Sequence, residues 1–231
     1  QEKLYLKYGF DRSAGKARLN SICEEIYSYE FDESNGMFSE HLVLLSCISL
    51  TQPNIKNILE IGTHDGRCAR ILSILFPNAL IKTIDLPMSD RDFIETYGRQ
   101  SSSELFLETR KKNIADVKNV NFEEMNSLEL CNSEERFDLI WIDGAHGYPV
   151  IVSDIVNSFR LVKELGYVLI DDVYKSVSQS DKWYKSIGAY ETLISLQNIG
   201  LLSFTLFCKR LSSAFNQTWN CKYVALFKRN F

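Results

Sequence analysis

Two apolar runs that both end on aspartate constrain this chain more than any other feature. The runs FDLIWID and GYVLID place Asp143 at the end of the first and Asp171 at the end of the second, with Asp172 beside it. Apolar runs of this length, bounded by polar residues, are typical of buried parallel strands. The carboxyl ends of such strands meet at one edge of the sheet, where α/β folds bind ligands. We therefore expect three carboxylates there, which repel one another unless a cation or a reacting proton lies among them.

Alternating strand and helix patterns around these runs predict an α/β fold with a mostly parallel sheet and helices on both faces. Near the end of the chain, two β-rich runs at 201–211 and 222–229 predict an antiparallel hairpin. Residues 86–102 are polar and read as irregular. The parallel strands are predicted at 58–61, 80–84, 120–125, 139–142 and 167–170.

Two further helices are predicted ahead of the sheet. Apolar residues recur at helical spacing over 13–29, and Ser39 is suited to cap a second helical pattern that reaches Leu50. We therefore expect an N-terminal helical cap over residues 1–54 and one compact domain over residues 55–231. The cap is expected to pack on one side of the sheet or over its mouth.

Charge and composition exclude several kinds of partner. The net charge is −4 and the pI about 5.5, so no overall basic field attracts nucleic acid. The run Arg110-Lys111-Lys112 lies in a helical pattern and reads as a solvated helix face. No apolar stretch reaches the ~18 residues that a membrane helix needs. The six cysteines form no CxxC pair and no zinc spacing, so we expect reduced thiols in a cytoplasmic protein, with a homodimer left open.

A glycine loop follows the first predicted strand. The segment ILEIGTHDG carries Gly62 and Gly66 four residues apart, which lets the backbone turn sharply and approach a ligand closely. Its spacing is neither a Walker A loop nor the G-x-G-x-x-G dinucleotide fingerprint. Asp85 ends the next strand, where a carboxylate can accept the hydrogen bonds of a ribose diol. The structural alternative is that the loop is only a tight turn and that Asp85 caps a turn or helix. Glu60, at the end of the first strand, needs a hydrogen-bond donor if it is charged and buried.

The pattern E-x-G-x-x-x-G after the first strand, with an acid ending the second, resembles the cofactor motif of class I S-adenosylmethionine-dependent methyltransferases. The resemblance covers roughly residues 55–173, and the terminal hairpin fits the seven-stranded Rossmann-like sheet of that fold. It implies that the backbone near the glycines faces the methionine part of the cofactor and that the acid holds the ribose. The implied cofactor residues are Glu60, Gly62, Thr63, Gly66 and Asp85, with Asn126 and Ser127 at the adenine and Asp143 bordering the same site.

A narrower resemblance concerns the aspartates. The segment WIDGAHGY followed by LIDD is similar to the metal-dependent O-methyltransferases, which include the catechol and macrolide-sugar types. This resemblance implies that Asp143, Asp171 and Asp172 bind Mg²⁺. Such an ion prefers oxygen ligands and keeps positions for substrate oxygens, and a hydroxyl bound to it becomes more acidic. The structural alternative is that the acids are caps or turn residues and that Asp143 pairs with a basic side chain.

His146 lies three residues after Asp143, where the catechol-type enzymes carry a lysine that acts as general base. Histidine titrates near neutrality, so the chain departs from that pattern but keeps a group that can take a proton. The alternatives are a partner that orients Asp143 and a helix cap. His64 is expected on the cofactor side or the surface, and His41 is expected to be structural or solvent-facing.

Together these patterns predict an S-adenosylmethionine-dependent O-methyltransferase, assisted by Mg²⁺, that methylates a hydroxyl of a small molecule or sugar. His146 and Asp143 are its predicted catalytic residues. The alternatives are methyl transfer without a metal, with His146 or Asp143 as base, and a non-catalytic module that binds S-adenosylmethionine or a nucleoside. Aromatic residues predicted to wall the acceptor site are Tyr97, Tyr148, Trp183 and Tyr184.

Overall fold

The computed structural model describes residues 1–28, 30–32, 40–97, 103–178, 185–209 and 222–229. Within these residues seven strands form one sheet: β1 (Asn57–Ile61), β2 (Leu80–Asp85), β3 (Val120–Glu124), β4 (Phe137–Ile142), β5 (Val162–Val173), β6 (Ser203–Cys208) and β7 (Tyr223–Lys228). Their order is β3-β2-β1-β4-β5-β7-β6. The first five strands are parallel, and β7 runs antiparallel to both β5 and β6. The predicted Rossmann-like methyltransferase fold, with its terminal hairpin, is confirmed.

Helices cover both faces of this sheet. Their bounds are α1 (Glu2–Lys7), α2 (Arg12–Tyr27), α3 (Glu40–Thr51), α4 (Arg67–Leu75), α5 (Arg91–Tyr97), α6 (Ser103–Ile114), α7 (Val150–Leu161) and α8 (Gly188–Asn198), with a 3₁₀ helix at Ser127–Asn132. The start of α2 is fixed by Asp11, whose side chain accepts a hydrogen bond from the Ala14 backbone N–H. No helix in the described parts of the chain is long and apolar enough to cross a membrane.

The strand β4 shows why the central runs are apolar throughout. Leu139 and Trp141 lie in the core beneath α1 to α4, whereas Ile140 and Ile142 lie in the core beneath α7 and α8. Side chains alternate between the two faces of a strand, so a strand covered on both faces needs apolar residues at every position. The ring of His41 stacks on Trp141 with centroids 4.7 Å apart, so His41 has a buried packing role.

The N-terminal helices share the first of these cores with the sheet. Tyr5 and Phe10 are fully buried, and Tyr5 lies edge-on to Phe207 of β6 with centroids 5.2 Å apart. At the start of α3, the buried carboxylate of Glu40 accepts hydrogen bonds from the Tyr5 hydroxyl (2.6 Å) and the Arg12 guanidinium (2.7 Å). The helices α1, α2 and α3 therefore pack directly on one face of the sheet.

Three predictions about local structure need correction. The segment predicted as irregular contains α5, and α1 was not predicted. β5 begins at Val162, five residues earlier than predicted, and its early part is irregular around Leu165, where φ is +61°. Arg110 of α6 is buried, so the basic run is not uniformly solvated, although Lys111 and Lys112 are exposed.

Candidate active site

The glycine loop, residues 62–66, joins β1 to α4 and touches the end of β4. Gly62 has φ +100°, and a Cβ atom built there would lie 2.3 Å from the carbonyl oxygen of Asp143. The Asp143 N–H donates to the Ile61 carbonyl at 2.8 Å. Only glycine fits such a close approach of two backbones. The predicted cofactor loop and the first predicted acid of the metal site therefore share one wall.

Glu60 lies at the end of β1 with no exposed surface. The Thr83 hydroxyl donates to its Oε2 at 2.5 Å, and the Thr63 and Thr83 hydroxyls lie 2.7 Å apart. Its Oε1 has no hydrogen-bond partner among the described residues. Burial raises the pKa of Glu60 to about 8. A buried carboxylate with an unused acceptor oxygen fits an ammonium group such as the one on the methionine part of S-adenosylmethionine.

Asp85 lies at the carboxyl end of β2, as predicted, but its carboxylate already has protein partners. Oδ2 accepts from the His64 backbone N–H (2.9 Å) and from the Arg110 guanidinium (3.0 Å), and Oδ1 accepts from the Leu86 N–H (2.9 Å). A carboxylate offers about four acceptor positions, so these contacts leave room for one more donor. Burial is the main cause that raises the pKa of Asp85, and Arg110 opposes it.

Arg110 lies beside the glycine loop and Asp85, a position that the sequence did not predict. Its guanidinium lies 4.8 to 5.9 Å from the centroids of Phe122, Phe106 and Phe93, and its Nε donates to the His64 carbonyl at 2.7 Å. It therefore ties α6 both to the glycine loop and to Asp85. The sequence shows only a basic run, and the turn of the helix decides which of its members faces inward.

The predicted adenine residues lie at the start of the 3₁₀ helix after β3. The Asn126 side chain accepts from the Leu128 backbone N–H at 3.0 Å and caps that helix. Asp154 of α7 is adjacent to the Ser127 side chain and has no exposed surface. Burial raises the pKa of Asp154 to about 7. An acid within an amphipathic helix carries no distinguishing signal in a single sequence, so Asp154 was not predicted.

Asp143, His146 and Asp171 meet at the carboxyl edge between β4 and β5. One ligand atom from each lies within 4.8 Å of the other two, and His146 Nε2 is 3.4 Å from Asp143 Oδ1. Burial, together with the charge of Asp171, raises the pKa of Asp143 to about 6. Burial lowers the pKa of His146, but Asp143, Asp172 and Asp171 outweigh it, so the net shift is upward. The group thus brings two carboxyl groups and one imidazole within 4.8 Å of one another.

Asp172 does not belong to this trio, and two lysines contact its carboxylate. Lys209 contacts the carboxylates of both Asp171 and Asp172, and Lys222 contacts the second oxygen of Asp172. Lys209 is 7% exposed. These lysines lie outside every predicted motif.

The donor set only partly fits the predicted Mg²⁺. Asp143, His146 and Asp171 would be its ligands, and Asp171 Oδ1 has no hydrogen-bond partner among the described residues. Both oxygens of Asp172, however, face ammonium groups, and Lys209 also contacts Asp171. The three aspartates therefore do not fit a shared ion while the two lysines keep these positions.

Tyr148 is the one predicted acceptor-side aromatic residue whose side chain lies in the described part of the chain. Tyr148 is 67% exposed and follows His146 by two residues. The side chains of Tyr97, Trp183 and Tyr184 fall outside the described part of the chain.

The sheet order, the glycine loop and the acids at the strand ends define a class I S-adenosylmethionine-dependent methyltransferase. A family model described as a methyltransferase domain matches residues 59–173, and the chain belongs to that family. The predicted family and enzyme class are confirmed. No curated protein matches the sequence.

Solved structures with the same fold differ in the atom that they methylate. The O-methyltransferase TomG from Streptomyces achromogenes, involved in tomaymycin synthesis and solved in complex with S-adenosylmethionine, has a TM-score of 0.61 at 14% identity, covering 100% of this chain and 96% of its own. The N-methyltransferase NodS from Bradyrhizobium japonicum, in complex with S-adenosylhomocysteine, has a TM-score of 0.59 at 14% identity, covering 94% and 100%. At such identities the likeness concerns the fold, so the acceptor atom has to be argued from the site.

Proposed function

We propose that this protein transfers a methyl group from S-adenosylmethionine to a hydroxyl oxygen of a small molecule or sugar. The observation that supports this most directly is the trio Asp143, His146 and Asp171, whose ligand atoms lie within 4.8 Å of one another. The trio adjoins the glycine loop through the contact between Gly62 and Asp143. A hydroxyl that enters there meets proton acceptors on one side and the proposed methyl donor on the other.

The proposed step needs one proton to move. S-adenosylmethionine supplies an electrophilic methyl carbon bound to a positive sulfur. His146 takes the hydroxyl proton while the oxygen forms a bond to that carbon, and the carbon–sulfur bond breaks with its electron pair staying on sulfur. The three carboxylates that raise the pKa of His146 make the imidazole a stronger proton acceptor. Asp143 stabilises the imidazolium that forms and orients its ring.

The proposed cofactor contacts follow the same edge of the sheet. Glu60 faces the methionine end, Gly62 to Gly66 line the loop, and Asp85 takes a ribose hydroxyl with its remaining acceptor position. Asn126 and Ser127 lie on the adenine side. The neighbouring fold in complex with S-adenosylmethionine supports this general placement.

Mg²⁺ assistance is the part of the prediction that the donor set supports least. Asp143, His146 and Asp171 would hold the ion, which would acidify the acceptor hydroxyl. The contact of Lys209 with both Asp171 and Asp172 favours the second candidate, transfer without a metal. Turnover measured with EDTA and with added Mg²⁺ separates them, because EDTA stops only the metal-assisted reaction.

Titration calorimetry with S-adenosylmethionine and S-adenosylhomocysteine tests the function first. Absence of binding at millimolar concentrations would refute it. Methyl-labelled S-adenosylmethionine is then offered with a panel of catechols, other phenols and sugars. We expect label on an acceptor oxygen, and transfer confined to amine acceptors in a matched panel would refute the O-methyl assignment.

The base is tested with His146→Gln. We expect kcat to fall by about 10²–10⁴-fold, the usual contribution of general-base catalysis. The affinity for S-adenosylhomocysteine should change less than threefold, because the glycine loop and Asp85 are untouched. Full turnover in this variant would assign the proton transfer to another group.

A further inference from the structure

Two lysines face each other on the terminal hairpin and point their charges at the same carboxylates. Cys208 pairs with Tyr223 across β6 and β7, and the Lys209 N–H donates to the Lys222 carbonyl one position further on, at 2.9 Å. Like charges directly opposite each other on two strands are destabilising. Here both ammonium groups form ion pairs with Asp171 and Asp172 at the end of β5, which offsets that repulsion. The lysine pair and the aspartate pair thus form one charge cluster, in which Asp171 and Lys209 are buried.

Contacts of its backbone N–H, its backbone carbonyl and its side chain fix the position of Lys209 in this cluster. Its backbone N–H donates to the carbonyl of Lys222, the residue before β7, and its carbonyl accepts the Glu40 N–H from the start of α3 at 3.1 Å. Its side chain is 7% exposed and contacts both aspartates. An ammonium has three N–H donors; two of them satisfy Asp171 and Asp172, and the third has no partner among the described residues. Of the two aspartates Lys222 contacts Asp172; its ammonium also lies 5.5 Å from the centroid of the Tyr174 ring, and 28% of its side-chain surface is exposed.

The charges of the cluster balance almost completely without an added ion. Asp143, Asp171 and Asp172 contribute three negative charges, and Lys209 and Lys222 contribute two positive ones. A divalent ion among Asp143, His146 and Asp171 would share Asp171 with the ammonium of Lys209, and two cations at that distance repel each other. The remaining negative charge lies at Asp143, beside His146.

We propose that the ammonium of Lys209 stands in the place of a divalent cation, binding the acceptor oxygen and stabilising the negative charge that develops on it as its proton leaves for His146, before the new bond to the methyl carbon takes up that charge. This inference rests on the proposed O-methyl transfer. The hydroxyl proton still goes to His146, and Lys209 keeps its own three hydrogens throughout. A preorganised positive charge at a developing oxyanion is worth about 10²–10³-fold in kcat.

The first test measures metal binding and needs no acceptor. Mn²⁺ is titrated into the full chain and followed by electron paramagnetic resonance. We expect no Mn²⁺ site that depends on Asp171 in the wild type. Lys209→Met should create one, because it releases Asp171 and one oxygen of Asp172, and the double variant Asp171→Asn/Lys209→Met should lose it again. A wild-type Mn²⁺ site abolished by Asp171→Asn would overturn the proposal, as would a folded Lys209→Met protein that binds no Mn²⁺.

The second test uses turnover with the acceptor that the labelling panel identifies. We expect the wild type to keep its full rate in EDTA. Lys209→Met should lose about 10²–10³-fold in kcat, keep its affinity for S-adenosylhomocysteine, and regain activity with Mg²⁺. Loss of wild-type activity in EDTA, restored by Mg²⁺, would overturn the proposal.

Two controls keep the result interpretable. Lys163→Met removes a lysine that pairs with Asp138 at 3.0 Å near the opposite edge of the sheet, and should change neither Mn²⁺ binding nor turnover. If Lys209→Met does not fold, the Mn²⁺ titration of the wild type against Asp171→Asn still decides, because an Asp171-dependent site in the wild type overturns the proposal. If the wild type methylates nothing in the panel, the proposed function fails, while the Mn²⁺ titration still decides what Lys209 does.

Discussion

At the scale of single residues, the buried carboxylate of Glu60 couples stability to pH. Burial raises its pKa from the ordinary 4.5 to about 8 in the folded protein. Between these two values the folded state holds a proton that the unfolded state has lost. The free energy of unfolding therefore falls as the pH rises from about 4.5 to about 8, and the contribution is fully present only at lower pH.

Glu60→Gln should remove this dependence. The amide keeps an oxygen for the Thr83 hydroxyl and does not ionise. We expect the variant to be more stable than the wild type at pH 8 by roughly 1–3 kcal/mol, the usual cost of a poorly paired buried polar group, and nearly equal to it at pH 4.5. Urea unfolding of the cofactor-free protein at the two pH values measures this. Glu129→Gln, at an exposed position on the 3₁₀ helix, is the matched control and should leave the pH dependence unchanged.

The sequence predicted which acidic residues end the parallel strands. It did not predict which basic side chains form ion pairs with those acids. Asp85, Asp143 and Asp171 follow from the rule that parallel strands deliver their last residues to one edge. The contact of Arg110 with Asp85 depends on the rotation of α6 about its axis. The contact of Lys209 with the aspartates depends on how the terminal hairpin pairs with β5. Both are long-range contacts that no local pattern encodes. Whether the acids bind Mg²⁺ stays a prediction for this reason.

At the scale of elements, the glycine loop is held from below by β4 and from the side by α6. Asn113 of α6 donates to the Asp65 carbonyl at 2.8 Å, beside the contacts of Arg110. Gly62 is the point of closest approach, since a Cβ atom there would lie 2.3 Å from one backbone atom of Asp143 and 2.6 Å from another. Backbone atoms of a central strand cannot move aside as a flexible side chain can.

Gly62→Ala should therefore lower the stability of the fold far more than an alanine substitution at a glycine that has a positive φ but no close neighbours. Gly200 has φ +78°, and a Cβ atom placed there would meet nothing within 4 Å, so Gly200→Ala carries backbone strain of about 1–2 kcal/mol and no clash. We expect Gly62→Ala to lower the unfolding midpoint in urea much further and to abolish binding of S-adenosylhomocysteine. Equal effects of the two substitutions would show that the loop can move away from Asp143.

The elements themselves were predictable where periodicity was strong. The buried strands β1 and β4 and the hairpin of β6 and β7 appear at the predicted positions to within two or three residues. The short helices α1 and α5 were not predicted, because six or seven residues span too few turns for a pattern to stand out. Leu165 lies in a left-handed conformation, which a β-propensity argument does not anticipate.

At the scale of the whole molecule, the N-terminal helices and the terminal hairpin support the site together. The side chain of Gln1 bonds both the N–H and the carbonyl of Cys208, at 3.1 and 3.0 Å, and the Tyr8 hydroxyl contacts Thr205 at 2.9 Å. These contacts cover the edge strand β6, which would otherwise expose unpaired backbone groups. The Glu40 N–H then holds the Lys209 carbonyl. The two ends of the chain thereby fix the lysine that meets the aspartates.

Two ion pairs of equal length differ in burial, and we expect their contributions to stability to differ for that reason. Arg12 Nε and Arg91 Nε each lie 2.7 Å from a glutamate oxygen, of Glu40 and Glu95 respectively. The Glu40 side chain is 2% exposed and that of Arg91 is 86% exposed. Arg12→Ala leaves a buried carboxylate without its cation, so we expect a loss of about 3–5 kcal/mol in urea unfolding.

Arg91→Ala removes a pair that water already solvates, so its unfolding curve should overlay that of the wild type. Because Glu40 also anchors Lys209, Arg12→Ala should loosen the charge cluster as well as the fold. Adding the substitution Glu40→Gln tests that link: it removes the unpaired charge but keeps the backbone N–H, so it should restore much of the stability that Arg12→Ala loses. No recovery in the double variant would mean that the guanidinium acts through its packing and not through the charge of Glu40.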